Sequence, residues 1–230
     1  MKNNQKIVYG IVITIAIYSL ALIIGRIIHF NNVFIASSFA THTIMLLLSI
    51  FAIIFLKKSL TYNLVLPKLK LILKPIIYAI VTTIVVNLLM TIITKVAGGK
   101  IEMHPLLAQL TPLQVFIFVF IYASIAEELL FRGFLLNLLE PLKENGISIF
   151  KIRLSLPVII SAIMFGLAHL CLIISGVNFF FLLRIVIFTM SLGLIAGYYQ
   201  EKYNNNAYAI IVHMSGNLLA ILGAIISQNV

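Results

Sequence analysis

The chain has 230 residues, of which 62% are hydrophobic and 10% charged, with a formal net charge of +10 and a mean hydropathy of +1.16. A soluble domain has about 25% charged residues and a disordered chain has low hydrophobicity, so the composition excludes both classes. All six acidic residues are glutamates, and Glu127 and Glu128 are adjacent inside an apolar run. The single cysteine, Cys171, excludes an internal disulfide and a CxxC motif.

Apolar runs of about 20 residues recur along the chain, and one helix of that length crosses the hydrocarbon core of a bilayer. The runs are continuous rather than alternating, which excludes an outer-membrane barrel. We therefore predict an all-α fold, a polytopic transmembrane helix bundle forming a single membrane domain over residues 1–230. The predicted spans are Ile7–Gly25, Val33–Leu56, Pro75–Thr94, Val115–Leu139, Leu156–Ile174, Asn178–Tyr199 and Ala207–Ile226.

Lysine and arginine are divided unevenly between alternate loops, and an excess of positive charge marks the cytoplasmic side of a membrane protein. We predict a multi-pass protein of the cell (plasma) membrane with its N-terminus in the cytoplasm. The basic residues lie between spans, which favours the lipid bilayer over nucleic acid as their partner. Of the 16, eleven fall on the inner side (Lys2, Lys6, Lys57, Lys58, Lys68, Lys70, Lys74, Lys143, Lys151, Arg153, Lys202), four on the outer (Arg26, Lys95, Lys100, Arg184), and Arg132 within a span.

The fourth span places Glu127 and Glu128 near the middle of the bilayer, where one charged residue costs about 2.5–3.5 kcal/mol on insertion scales. Two adjacent carboxylates should therefore face the interior of the bundle or a water-filled cavity. Glu128 and Arg132 are four residues apart with the acid N-terminal, which predicts an ion pair on one helix face. Glu127 points about 100° away and has no local partner.

Two further polar pairs lie in later spans. Phe165 and His169 in the fifth span, and His213 and Asn217 in the seventh, are each four residues apart and so lie on one helix face. Either pair alone is explained by hydrogen bonds between neighbouring helices. Together with the glutamates they place a carboxylate, two imidazoles and an amide on three different spans.

The remaining histidines are given other roles. His42, in the second span, is interpreted as a packing residue because no acidic residue lies near it in the sequence. His29 and His104 fall in outer loops.

A carboxylate and a histidine can together act as a general base that removes a proton from water as the water attacks a carbonyl. A second histidine and an amide can donate hydrogen bonds to the oxyanion, typically worth about 2.7–4 kcal/mol. This chemistry needs no cofactor. Two histidines and a glutamate are also a zinc-binding set, so zinc held by Glu127, His169 and His213 is the alternative, although no HExxH motif is present. The sequence leaves both mechanisms open.

The ordered motifs resemble those of the CPBP family of intramembrane proteases, which includes type II CAAX prenyl endopeptidases and the bacteriocin-processing or Abi proteins. The resemblance covers roughly residues 115–226 and leaves residues 1–114 as accessory spans. The matching motifs are EExxxR at Glu127, Glu128 and Arg132, FxxxH at Phe165 and His169, and HxxxN at His213 and Asn217.

The resemblance implies that Glu127 is the catalytic glutamate, acting with His169 on the water, and that His213 and Asn217 bind the oxyanion. It implies one more helix than we count, so about seven to eight spans are expected. The residues that it implies as support for the site are Glu128, Arg132 and Phe165.

The family implies a peptide-bond hydrolase acting on a membrane-associated peptide or lipidated protein: a CAAX protein, or a pheromone or bacteriocin precursor. Richness in Lys, Asn and Ile, without Asp or Trp, is typical of an AT-rich bacterial genome and favours peptide maturation or bacteriocin immunity. One alternative is a non-catalytic immunity or scaffold protein that binds a partner peptide or membrane protein. Another is a transporter or proton relay, but the paired broken helices typical of transporters are not evident.

Overall fold

The computed structural model describes residues 3–102, 104, 107–149 and 151–227, and the predicted all-α class is confirmed because the chain is 76% helical. Lys2, one of the basic residues predicted on the inner side, lies outside these ranges. Within them, the seven main helices are α1 (Asn3–Ile27), α2 (Phe39–Phe55), α3 (Leu69–Val96), α4 (Pro112–Leu136), α5 (Leu156–Ala168), α6 (Phe179–Tyr203) and α7 (Asn206–Ser227).

Five of these helices, α1, α3, α4, α6 and α5 with its extension to Ser175, are long and apolar enough to cross a membrane. The other two described helices, α2 and the Asn206–Leu222 part of α7, are apolar but shorter. At 1.5 Å per residue the 17 residues of α2 span about 25 Å, less than the roughly 30 Å of a hydrocarbon core. The predicted count of seven spans thus agrees approximately with the structure.

Helix α4 is the centre of the bundle. Every residue from 128 to 139 is buried, whereas in the other candidate spans only 17 to 28% of the apolar window is buried, as expected for helices that face lipid. One apolar core packs α1, α2 and α5 around the second half of α4. A second core joins α3, α6 and α7, and α7 also contacts α4. The glutamates of α4 therefore lie where the two groups of helices meet.

Local sequence explains where the central helices begin. Thr111 and Gln114 form a reciprocal capping box, and Pro112 occupies the first turn of α4, where a missing N–H costs nothing. At α5 the Ser155 hydroxyl accepts a hydrogen bond from the Val158 N–H. These caps fix the start of each helix and hence the depth of its polar residues.

Three local features differ from the sequence prediction. Helix α2 begins at Phe39 rather than Val33, because the Gln114 amide donates to the Val33 and Phe34 carbonyls at 2.9 Å and holds that segment outside the helix. The α-helical winding of α5 ends at Ala168 and continues as a 3₁₀ helix over His169–Ser175. A short antiparallel hairpin, β1 (Gly146–Ile149) and β2 (Ile152–Ser155), joins α4 to α5 and was not predicted.

Candidate active site

A cavity of about 570 Å³ lies among the helices, close to the buried part of α4. Its volume is in the range of small-molecule and peptide side-chain pockets. Glu127, His169, His213 and Asn217 all line it, so the structure brings these four predicted site residues, from three helices, to one place. Their catalytic roles remain predictions.

The two glutamates of α4 have different environments. They lie in an α-helical turn, Ser124–Glu128, between stretches of wider π-helical winding at Val115–Ala123 and Leu129–Leu136. π-Helical segments are rare and are frequent at functional sites. The Glu128 side chain is 1% exposed, whereas the Glu127 side chain is 15% exposed and lines the cavity.

Glu128 is held by two partners. Its Oε1 accepts hydrogen bonds from Arg132 Nη1 at 2.9 Å and from His213 Nδ1 at 2.8 Å. The first contact is the ion pair that the four-residue spacing predicts. Both partners are buried, so this carboxylate is committed to joining α4 with α7.

Arg132 is enclosed on all sides. Its guanidinium carbon lies 4.6 Å from the centre of the Phe165 ring, a cation–π distance, and Gln200 donates to its backbone carbonyl at 2.8 Å. Gly193 of α6 makes room for the guanidinium, because a Cβ there would lie 2.5 Å from Arg132 Nη2. Phe165 and Arg132 thus pack together beside Glu128, and their role in supporting the site stays a prediction.

Glu127 is flanked by two histidines from different helices. Its Oε1 lies 3.3 Å from His42 Nε2, and its Oε2 lies 3.7 Å from His213 Nε2. The interpretation of His42 as a packing residue without an acidic partner is therefore wrong. The partner is 85 residues away in sequence and is brought close only when α2 packs on α4.

His169 presents a free lone pair to the cavity. Its Nδ1 lies 3.0 Å from the Phe165 carbonyl oxygen. Since a carbonyl oxygen only accepts, Nδ1 carries the proton, and Nε2 of the neutral ring keeps its lone pair as a base or ligand. The Phe165 ring meets the His169 and His213 rings edge-on, at 5.3 Å each between centroids, and separates them.

Asn217 already has partners within the site. Its amide nitrogen donates to Ser124 Oγ at 3.2 Å and to the Val119 carbonyl at 3.4 Å. Both contacts are long for hydrogen bonds. An oxyanion that forms in the cavity could accept a hydrogen bond from one of the two amide protons, because the contact that it replaces is a weak one.

The positions of the donor atoms bear on the alternative of a zinc site. Among the described residues, no three His, Cys, Asp or Glu side chains are grouped so that they could hold one metal ion. Glu127 Oε1 faces His42, and His169 has one ring nitrogen committed to a backbone carbonyl. As arranged, Glu127, His169 and His213 do not form the tetrahedral set that zinc requires, and we derive no step through a metal.

Residues 109–219 match the family model described as type II CAAX prenyl endopeptidase Rce1-like. This segment, slightly less than half of the chain, is similar to that family. It contains all seven residues that resemble the CPBP motifs, and the predicted resemblance to the CPBP proteases is confirmed. The match to the Rce1-like family model supports an intramembrane endopeptidase of the CAAX type in general. No curated protein and no solved structure matches the chain.

Two histidines that line the cavity were not predicted as site residues from the sequence. His42 and His104 both line the cavity, and both lie outside the segment that matches the Rce1-like family. His104 comes from the connection between α3 and α4, in agreement with its predicted place in a loop, but its position at the cavity was not predicted. The only signal in the sequence was that His42 is the one other histidine inside a predicted span; nothing in the sequence distinguishes His104 from His29.

Proposed function

We propose that this protein is an intramembrane endopeptidase in which Glu127 and His169 together activate the water that attacks a peptide carbonyl. The observation that best supports this is the shared cavity, which is lined both by a carboxylate 15% exposed and by an imidazole whose Nε2 keeps its lone pair. Glu128 is buried and already accepts hydrogen bonds from Arg132 and His213, so it does not compete with Glu127 for the role of base.

The proposed reaction uses only side chains of this chain. Glu127 takes a proton from water, with the His169 lone pair sharing the acceptor role, while the water oxygen forms a bond to the carbonyl carbon. The oxyanion accepts a hydrogen bond from the Asn217 amide, and a second from Nε2–H of His213 when both ring nitrogens carry protons, since Nδ1–H already donates to Glu128. When the tetrahedral intermediate collapses, the C–N bond breaks and the proton held by the base passes to the leaving amine nitrogen.

The proposed substrate is a membrane-associated peptide or lipidated protein. Many of the cavity's lining side chains are apolar, and the cavity lies within helices long enough to cross a bilayer. An apolar cavity favours substrate segments or lipid groups that themselves partition into the membrane. CAAX-type proteins, pheromone precursors and bacteriocin precursors all present such segments and are the candidates to test.

The test compares purified wild-type protein with Glu127→Gln and His169→Ala in lipid nanodiscs. The probes are a farnesylated peptide ending in a CAAX sequence and a bacteriocin-type precursor peptide, with products identified by mass spectrometry. Loss of a positioned general base costs typically 10²–10⁴-fold, and we expect a decrease in kcat of that order for both variants. His29→Ala is the matched control, because His29 is exposed in the connection after α1. Wild-type rates in both site variants would contradict the assignment.

A second arm separates the two chemistries. The same cleavage is measured after treatment with a chelator and after adding zinc back. Full activity in chelator supports the metal-free base. Loss of activity that zinc restores would replace it with a metal-activated water.

A further inference from the structure

We propose that His42 is a positioning residue of the active site, fixing the orientation of the Glu127 carboxylate from the first half of the chain. This inference rests on the proposed function of Glu127. It assigns a role in the site to α2, a helix that lies outside the segment matching the Rce1-like family.

Helix α2 is docked firmly on α4 next to this contact. Thr43 Oγ1 lies 2.8 Å from Tyr122 Oη, and the ring of Phe39 meets the rings of Tyr122 and Phe118 at 5.1 and 5.6 Å between centroids. Aromatic pairs at such separations are favourable beyond the area that they bury. His42 lies between Phe39 and Thr43 in sequence, so the docking of the first turn of α2 determines where its ring lies.

Helix α1 fixes the same turn from the other side. Gly25 packs directly on α2, since a Cβ at this glycine would lie 2.8 Å from Thr41 Cα. The backbone beside His42 is thus held between α1 and α4. The His42 imidazole is therefore positioned next to Glu127 by a helix packed on both sides rather than by a loop.

Each oxygen of the Glu127 carboxylate lies beside an imidazole nitrogen, and the contact with His42 is a hydrogen bond. His42 Nε2, as an N–H donor, faces Oε1, and His213 Nε2 faces Oε2. An ionised carboxylate has about four lone-pair sites, so sites remain for water in the cavity. Without His42, the carboxylate is free to rotate about its last torsion, which is a broad one.

A packing role alone does not account for His42. Its Nδ1 is buried and, among the described residues, has no hydrogen-bond partner. An unpaired buried polar atom costs stability, so an apolar residue of similar size would pack better at this position. The hydrogen bond to Glu127 is what the imidazole adds over such a residue.

The first experiment compares turnover of the farnesylated CAAX peptide by His42→Ala, His42→Gln, Glu127→Gln and the His29→Ala control. Glutamine places its Nε2 donor the same number of bonds from Cβ as histidine does. Because a misplacement of about 1 Å can cost about 100-fold, we expect kcat to fall by that order in His42→Ala, with KM unchanged. His42→Gln should recover most of the rate. An equal loss in both His42 variants, or no loss in either, would overturn the positioning role.

The second experiment observes the contact without substrate. The chain has only six glutamates, so ¹³C-glutamate labelling gives few carboxylate bands, and the infrared difference between wild type and Glu127→Gln isolates the band of Glu127. We expect this band to shift in His42→Ala and to stay in place in His29→Ala. An unshifted band in His42→Ala would overturn the inference. Full activity of Glu127→Gln would instead overturn the proposed function, and the positioning role with it, even where the band shifts.

Discussion

Glu127 and Glu128 are neighbours in sequence with opposite environments. Glu128 is buried with Arg132 and His213, and Glu127 borders the cavity between His42 and His213. The sequence predicted this division correctly for Glu128, because its partner is one helical turn away. For Glu127 it could say only that no local partner exists, since both partners come from distant helices.

The two glutamates should therefore respond differently to neutralisation. Glu128→Gln leaves the buried Arg132 guanidinium without its counter-charge, and breaking a buried ion pair costs about 3–5 kcal/mol. Glu127→Gln, at a cavity-lining position, should lose less stability. Unfolding in detergent followed by circular dichroism measures both. Equal destabilisation would contradict the assignment of Glu128 as the structural member of the pair.

His104 should make folding sensitive to pH. It lies between α3 and α4, where burial, together with the nearby His169, lowers its pKa from 6.5 to about 4. The folded protein therefore binds this proton less well than the unfolded chain does. The contribution of His104 to the free energy of unfolding is therefore fully present above pH 6.5 and is lost as the pH falls toward 4. For a pKa shift of this size the loss is about 3 kcal/mol.

The measurement is the unfolding free energy of wild type and His104→Gln across that pH range. The variant cannot be protonated at this position. Between pH 6.5 and pH 4 its unfolding free energy should therefore decrease less than that of the wild type, by about the amount that His104 contributes. Identical pH profiles would show that His104 titrates normally in the folded protein.

At the scale of the helix, α6 depends on the absence of a side chain at Gly193. A Cβ at this position would lie 2.5 Å from Arg132 Nη2 and 3.1 Å from Ala162 Cα. Gly193→Ala should therefore displace the guanidinium or separate α6 from α5, and overpacking typically costs 1–3 kcal/mol. The stability of the variant and its peptide cleavage rate should both fall.

Gly197, one turn further along α6, is the matched control. A Cβ there would meet only side-chain methyl groups of Val158 and Leu136, at 3.1 to 3.3 Å. These groups can shift by a few tenths of an ångström, so Gly197→Ala should be tolerated better. A larger loss in Gly197→Ala than in Gly193→Ala would contradict the proposed fit of Arg132 against α6.

The helices themselves were largely predictable, and their ends were not. Apolar runs located all seven helices, but α2 begins six residues later than its apolar run because Gln114 binds the preceding segment. The change to 3₁₀ winding at His169 and the hairpin after α4 left no clear hydrophobic pattern. Ends of elements are decided by tertiary hydrogen bonds that hydropathy does not register.

For the whole molecule, the charge distribution predicts which loops face the cytoplasm. The connection between α2 and α3 should lie inside, and the connection between α1 and α2 outside. Leu66 and Val33, 94% and 98% exposed, are suitable positions in these two segments. In a Cys171→Ser background, an impermeant maleimide applied to intact cells should label Val33→Cys and leave Leu66→Cys unlabelled. The reverse pattern would invert the orientation.

The sequence alone determined that this is a helical membrane protein, that two glutamates need partners inside it, and that the second half carries motifs that resemble those of the CPBP family. These conclusions rest on hydropathy and on spacings of four or five residues, which lie within one or two turns of a single helix. Only the tertiary structure decided that His42 and His104 join Glu127 at one cavity and that Gly193 admits Arg132. Such contacts join side chains of separate helices. They therefore depend on how the helices pack and not on spacing within one helix.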